Sequence, residues 1–154
     1  MNGIVRAIYS TAAGGAALKP VEEGMLEAGR GLVGDRYYLG TGTFSEKLAG
    51  QPDAEITLIE SEEIERFNRE NNLSLGLGDL RRNIVTGSIR LNDLVGVTFS
   101  VGSATLEGIR LCEPCAHLSR LVTPEVLPGF VHRSGLRARI VTGGAVRPGD
   151  AITI

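Results

Sequence analysis

Val97-Thr98-Phe99-Ser100-Val101-Gly102-Ser103-Ala104-Thr105-Leu106-Glu107-Gly108-Ile109 reads as two short strands folded back on each other. Apolar and polar side chains alternate on either side of Gly102-Ser103, which is the pattern of paired strands with one buried face. The same grammar extends outward. Ile84-Val85-Thr86 is stopped by Gly87. Leu136 to Thr142 alternates through Arg137, Arg139 and Val141 and is turned by Gly143-Gly144. Ala151 to Ile154 closes the chain after Arg147-Pro148-Gly149-Asp150, which repeats the turn theme of Leu94-Val95-Gly96. Upstream, Asn2 to Tyr9 and Ile56 to Ile59 carry the β-branched bulk of strands, and Pro20 to Glu23 reads as a short extended piece. The 21 glycines follow no three-residue period, so they mark turns rather than a collagen repeat. The fold class is mainly β: a closed or nearly closed barrel, or a sandwich, with a few peripheral short helices.

Two helices interrupt this pattern. Ser61 caps the first, Glu62 and Glu63 sit in its first turn, Ile64 and Phe67 share a face, and it fades at Asn71-Asn72. The second spans 114–122, with Pro114 as its first residue and Pro124 as its stop. Thr11 to Ala17 and Gly40 to Pro52 read as loops, Val126 to Gly135 as a loop or broken turn, and glycines from Gly24 to Gly34 exclude a helix there. No linker divides the 154 residues, so the chain is expected to be one domain, 1–154.

The formal net charge of -2 gives no general attraction to nucleic acid or to an anionic membrane. No apolar run is long enough to span a bilayer and no leader pattern opens the chain, so a cytoplasmic location is expected. Of 16 basic residues 14 are arginines, whose fixed fork suits carboxylate and phosphate. That bias fits either an overall compositional preference or an arginine-lined anion pocket. P-loop, dinucleotide, His-Glu-x-x-His and Gly-x-Ser-x-Gly patterns are all missing.

Any chemistry centres on Cys112-Glu113-Pro114-Cys115. The pair has four readings: half of a zinc site, for which only His117 and His132 remain as further soft ligands; a redox dithiol; a single reactive thiolate; or two buried small side chains. With Pro114 at the first helical position, Cys115 falls in the first turn, where unpaired N–H groups favour a thiolate, while Cys112 lies outside that field. His117 is a candidate base or proton carrier. His132 with Arg133 is a candidate pocket segment. Asp35, in Gly34-Asp35-Arg36, either makes a turn or braces an arginine. Arg81-Arg82-Asn83 reads as surface or ligand-binding, and inside a strand only one of the two arginines would enter a pocket.

Taken in order, these segments resemble the MOSC domain, the module named for the C-terminal part of molybdenum cofactor sulfurase. The resemblance is carried by Gly31-Leu32-Val33-Gly34-Asp35-Arg36-Tyr37, Ile56 to Glu60, Asp79-Leu80-Arg81-Arg82-Asn83-Ile84, Leu91 to Phe99, Cys112-Glu113-Pro114-Cys115 and Gly135 to Ile154. It implies a β-barrel and a role in binding the molybdenum cofactor or carrying sulfur. Cys115 would be the molybdenum or persulfide-bearing cysteine, with Cys112 secondary and His117 assisting. Asp35, Arg82 and Asn83 match family segments and would border the cofactor pocket, and Arg36, Arg81, His132 and Arg133 are added to it as candidates from the residues themselves. Some stand-alone relatives are credited with reducing N-hydroxylated substrates, which leaves open whether this chain is an enzyme. A sulfur-donor or electron-donor protein would be the partner, and the oligomeric state is not readable. The other function classes are a persulfide carrier and a non-catalytic domain that binds a small anion or a partner.

Overall fold

A computed structural model describes residues 2–43, 51 and 54–154. Most of the expected loop Gly40 to Pro52 therefore lies outside the described residues. The strands are β1 (Asn2–Ser10), β2 (Lys19–Pro20), β3 (Gly24–Glu27), β4 (Gly31–Leu32), β5 (Ile56–Glu60), β6 (Ile84–Gly87), β7 (Thr98–Val101), β8 (Ala104–Leu111), β9 (Leu136–Thr142), β10 (Gly144–Val146) and β11 (Ala151–Thr153). The helices are α1 (Arg36–Leu39), α2 (Ser61–Asn71), α3 (Ala116–Leu121) and α4 (Val126–Gly129), with a 3-10 turn at Leu91–Leu94.

Seven strands close a barrel in the order β1-β6-β5-β9-β8-β7-β11, with β11 returning to pair with β1. All its pairings are antiparallel except β5–β6. A parallel pair needs a crossover, and α2 lies in the chain between those two strands. Barrel rather than sandwich is thus the outcome. A small outer sheet, β10-β3-β4, covers part of the wall.

Strand alternation explains where the two cores sit. Ile56 and Leu58 of β5 and Ile84 of β6 point into the barrel with Phe99, Leu106, Leu136 and Ile152. Their neighbours Ile59 and Val85 point outward into a second cluster under the helices, with Ile64, Phe67, Leu118 and Phe130. The rings of Phe67 and Phe130 stack at 4.5 Å between centroids. Strands buried on both faces read as continuous apolar runs, which is why Ile56 to Ile59 shows no polar alternation beyond Thr57.

Arg81-Arg82 precedes β6, which begins at Ile84 as expected, and Arg81 has a left-handed φ of 64°. Two expectations about the helices need correction. Glu60, not Ser61, is the N-cap of α2, and it makes no side-chain cap hydrogen bond. The second helix starts at Ala116, so Pro114 is not its first residue. Cys115 itself has extended backbone and caps the helix, its sulfur accepting the Leu118 N–H at 3.4 Å. Val126 to Gly135, expected as a loop or broken turn, opens with the single turn α4. Among the described residues, no helix is long and apolar enough to cross a membrane.

Candidate functional site

Three chain segments outside the barrel build one cleft. The first is the Gly34-Asp35-Arg36 turn. Asp35 is fully buried and caps α1, its carboxylate accepting the Tyr37 N–H. The same carboxylate accepts the Thr11 N–H and the Arg36 guanidinium, both at 3.1 Å. Arg36 then donates to the Arg81 carbonyl at 2.9 Å, so the first segment is tied to the second. Asp35 is thus a brace under the arginine. Asp35→Asn keeps the cap but removes the charge partner of a buried guanidinium. We expect a loss of about 2 kcal/mol in stability by urea denaturation.

The second segment is Leu80-Arg81-Arg82-Asn83. Its left-handed residue lets Arg81 and Arg82 reach the same side, and both line the cleft. They behave differently. Arg82 is only 8% exposed and spends its donors on the carbonyls of Ser134 (2.9 Å), Leu80 (3.2 Å) and Cys112 (3.1 Å). Arg81 donates to the Ala16 carbonyl. Burial, and after it the Arg36 charge, holds the Arg81 guanidinium below the usual arginine range; Arg82 adds to this, while Tyr37 and Asp35 oppose it. An anion beside Arg81 would relieve both causes.

The third segment is Cys112 to Leu118. Cys115, His117, Glu113 and Leu118 line the cleft together with Arg36, Tyr37, Gly42, Thr43, Arg81, Arg82 and Arg137. The cleft is shallow, holding about 60 Å³, and is open to solvent. Cys115 is half-buried, whereas Cys112 is 2% exposed and lies outside the cleft. The Cys112 backbone is fixed: its N–H reaches the Gly135 carbonyl at 2.8 Å, and its carbonyl also accepts the Ser134 hydroxyl. Among the described residues, no three His, Cys, Asp or Glu side chains converge as a metal cage.

Of the residues singled out from sequence, Arg36, Arg81, Arg82, Cys115 and His117 come together. Asn83 does not join them. It is fully buried beneath the cleft, its side-chain oxygen accepting the Thr57 N–H and hydroxyl at 3.2 Å and its amide donating to the Tyr9 carbonyl. His132 and Arg133 face a separate hollow with Glu60, Glu63, Arg90 and Asn92. They touch the cleft only indirectly: Glu113 accepts the His132 N–H at 2.7 Å and pairs with its Nδ1 at 2.5 Å.

The sequence reading missed Tyr37 and Arg137. The Tyr37 ring carries Arg36 on one contact, 4.6 Å from the ring centroid, and Arg137 on another, at 5.9 Å. Arg137 was visible as an alternating strand residue, and alternation alone does not tell which face borders a cleft. Tyr37 sat beside the noted Gly-Asp-Arg turn, and the α1 helix that directs it has only four residues.

The chain is thus a closed β-barrel protein with one half-buried thiol in an arginine-lined cleft. The MOSC domain model matches residues 45–153, and the chain belongs to the MOSC domain family. Its fold is shared with the YUAD protein from Bacillus subtilis, at 15% identity and a TM-score of 0.81, covering 99% of this chain and 94% of that one. It is shared too with YiiM from Geobacillus stearothermophilus (16% identity, TM-score 0.70, 98% and 72% covered) and YiiM from Escherichia coli (18%, 0.71, 99% and 69%). No curated protein matches the sequence.

Proposed function

We propose that the chain binds the molybdenum cofactor in this cleft, with Cys115 as the thiolate ligand of the metal. The observation that carries the reading is one half-exposed thiol in a cleft lined by Arg36, Arg81, Arg82 and Arg137. The donor set fits. A single soft ligand cannot hold a bare ion, but it suits a metal whose other ligands come with an organic group. Arginine forks suit the phosphate of such a group. When bound, the cofactor would supply two-electron redox chemistry at the metal, of the kind that reduces an N-hydroxylated substrate.

The chain's own residues orient and neutralise. Arg81 and Arg36 hold the anionic end, with Asp35 and Tyr37 fixing Arg36. Cys115 is positioned by the Leu118 N–H. His117 is the nearest candidate to hold or move a proton in the cleft. Electrons would come from a partner protein.

Sulfur carriage is the second reading, favoured by the partial exposure of Cys115 beside a buried Cys112. The test is metal analysis, visible absorption and cyanide-releasable sulfur on protein purified from a cofactor-producing host. Molybdenum near one equivalent, lost in Cys115→Ser and in Arg81→Ala, supports cofactor binding. Releasable sulfur without molybdenum supports the carrier. Neither leaves a small-anion-binding domain.

A further inference from the structure

Arg81 has a second face. Beyond it lies an open hollow of about 370 Å³ lined by Leu18, Leu75, Leu121, Val122, Asp79 and Arg81. It is bounded by the loop after β1, the turn before Arg81 and the end of α3. Arg81 is the lining residue common to this hollow and the Cys115 cleft. Its guanidinium is anchored on one side by the Ala16 carbonyl, and its left-handed backbone holds it on the partition.

We infer that this hollow binds a small organic monoanion with an apolar body, such as an aryl or alkyl carboxylate, the carboxylate meeting Arg81 and the body packing on Leu18, Leu75, Leu121 and Val122. The walls are mostly aliphatic, and apolar pockets with one or two placed polar groups recognise such ligands. The Arg81 fork matches a carboxylate. Burial and the Arg36 charge already disfavour the lone cation, so a ligand anion is rewarded there. Asp79 sets the charge limit. Its carboxylate accepts the Gly76 N–H at 2.8 Å and borders the same hollow, so a dianion such as phosphate is disfavoured where a monoanion is tolerated. As a substrate pocket next to Cys115 the assignment rests on the cofactor reading. As a binding site it does not.

The experiment titrates phenylacetate, phenylethylamine and inorganic phosphate into the purified protein, followed by calorimetry and by amide NMR shifts. The variants are Leu121→Asp and Arg81→Ala. Leu121 is exposed and lies outside the Cys115 cleft, so its substitution spares both the fold and that cleft. Phenylacetate should bind the wild type, shifting amides around Leu75 and Leu121, and each variant should weaken it by at least about tenfold. Phosphate binding should survive Leu121→Asp and fall in Arg81→Ala. Equal phenylacetate affinity in Leu121→Asp, a preference for phenylethylamine, or no phenylacetate binding below about 10 mM each overturns the assignment. Loss of phosphate binding alone, with phenylacetate retained, counts against the cofactor cleft and leaves the hollow standing.

Discussion

Cys112→Ala leaves native-state alkylation intact, and Cys115→Ala abolishes it. Cys112 is 2% exposed, and its backbone is held at both its N–H and its carbonyl. A reagent reaches it only after local opening of the strand end, which is slow relative to labelling of an accessible thiol. Cys115 is half-buried on a cleft wall, and its sulfur is engaged by one N–H. The cleft should also leave a charge signature. Iodoacetate should gain on iodoacetamide by roughly tenfold at low salt, because the cleft's four arginines outweigh Glu113 and concentrate anions, and the gain should shrink as salt screens the arginines. Labelling rates of wild type and both variants across a salt series decide this. Labelling at Cys112 in the native protein would overturn the assignment of Cys115.

Arg82→Ala should destabilise the fold by about 3–5 kcal/mol, the largest loss of any cleft arginine. Its guanidinium is buried and donates to three carbonyls on three segments: Leu80 before β6, Cys112 after β8 and Ser134 before β9. Removing it takes a donor from each of them; the Cys112 carbonyl keeps the Ser134 hydroxyl, and each carbonyl left as a buried orphan costs about 1–3 kcal/mol. Lysine has one nitrogen and cannot reach all three, so Arg82→Lys should recover only part of the loss. Urea denaturation of the two variants measures both. Equal stability of Arg82→Ala and wild type would mean that the guanidinium does not hold these segments together. Arg82 thus builds the cleft, while Arg81, its neighbour, lines it.

That division shows where sequence reasoning stops. Adjacent arginines look alike in a sequence. Which one is spent on the backbone depends on carbonyls brought from residues 30 and 52 positions away. The barrel itself was legible, because turn glycines and short alternating runs are local signals. So was α2, whose first-turn carboxylates and apolar face agree with one another, although Ser61 opens the helix instead of capping it. The start of α3 was not. Proline suits a first helical position, but here Pro114 ends the extended approach and the sulfur of Cys115 takes the cap. Cys115, Arg36 and His117 were found by residue type and by family resemblance. Asn83 was noted for the same reason, yet it serves Thr57 and Tyr9 rather than the cleft. Tyr37 and Arg137 became visible only once the ring stood between the two guanidinium groups.

The pairing of β1 with β11 has a kinetic corollary. Asn2 meets Thr153 and Ile4 meets Ala151, contacts that span almost the whole sequence. During synthesis from the N-terminus, the strands from β1 through β7 can assemble while β11 is still inside the ribosome. Until it emerges, the edges of β1 and β7 that it will occupy stay unpaired. Such edges invite pairing with other chains, and closure of so long a loop is slow. The nascent chain is therefore most prone to aggregate before β11 arrives.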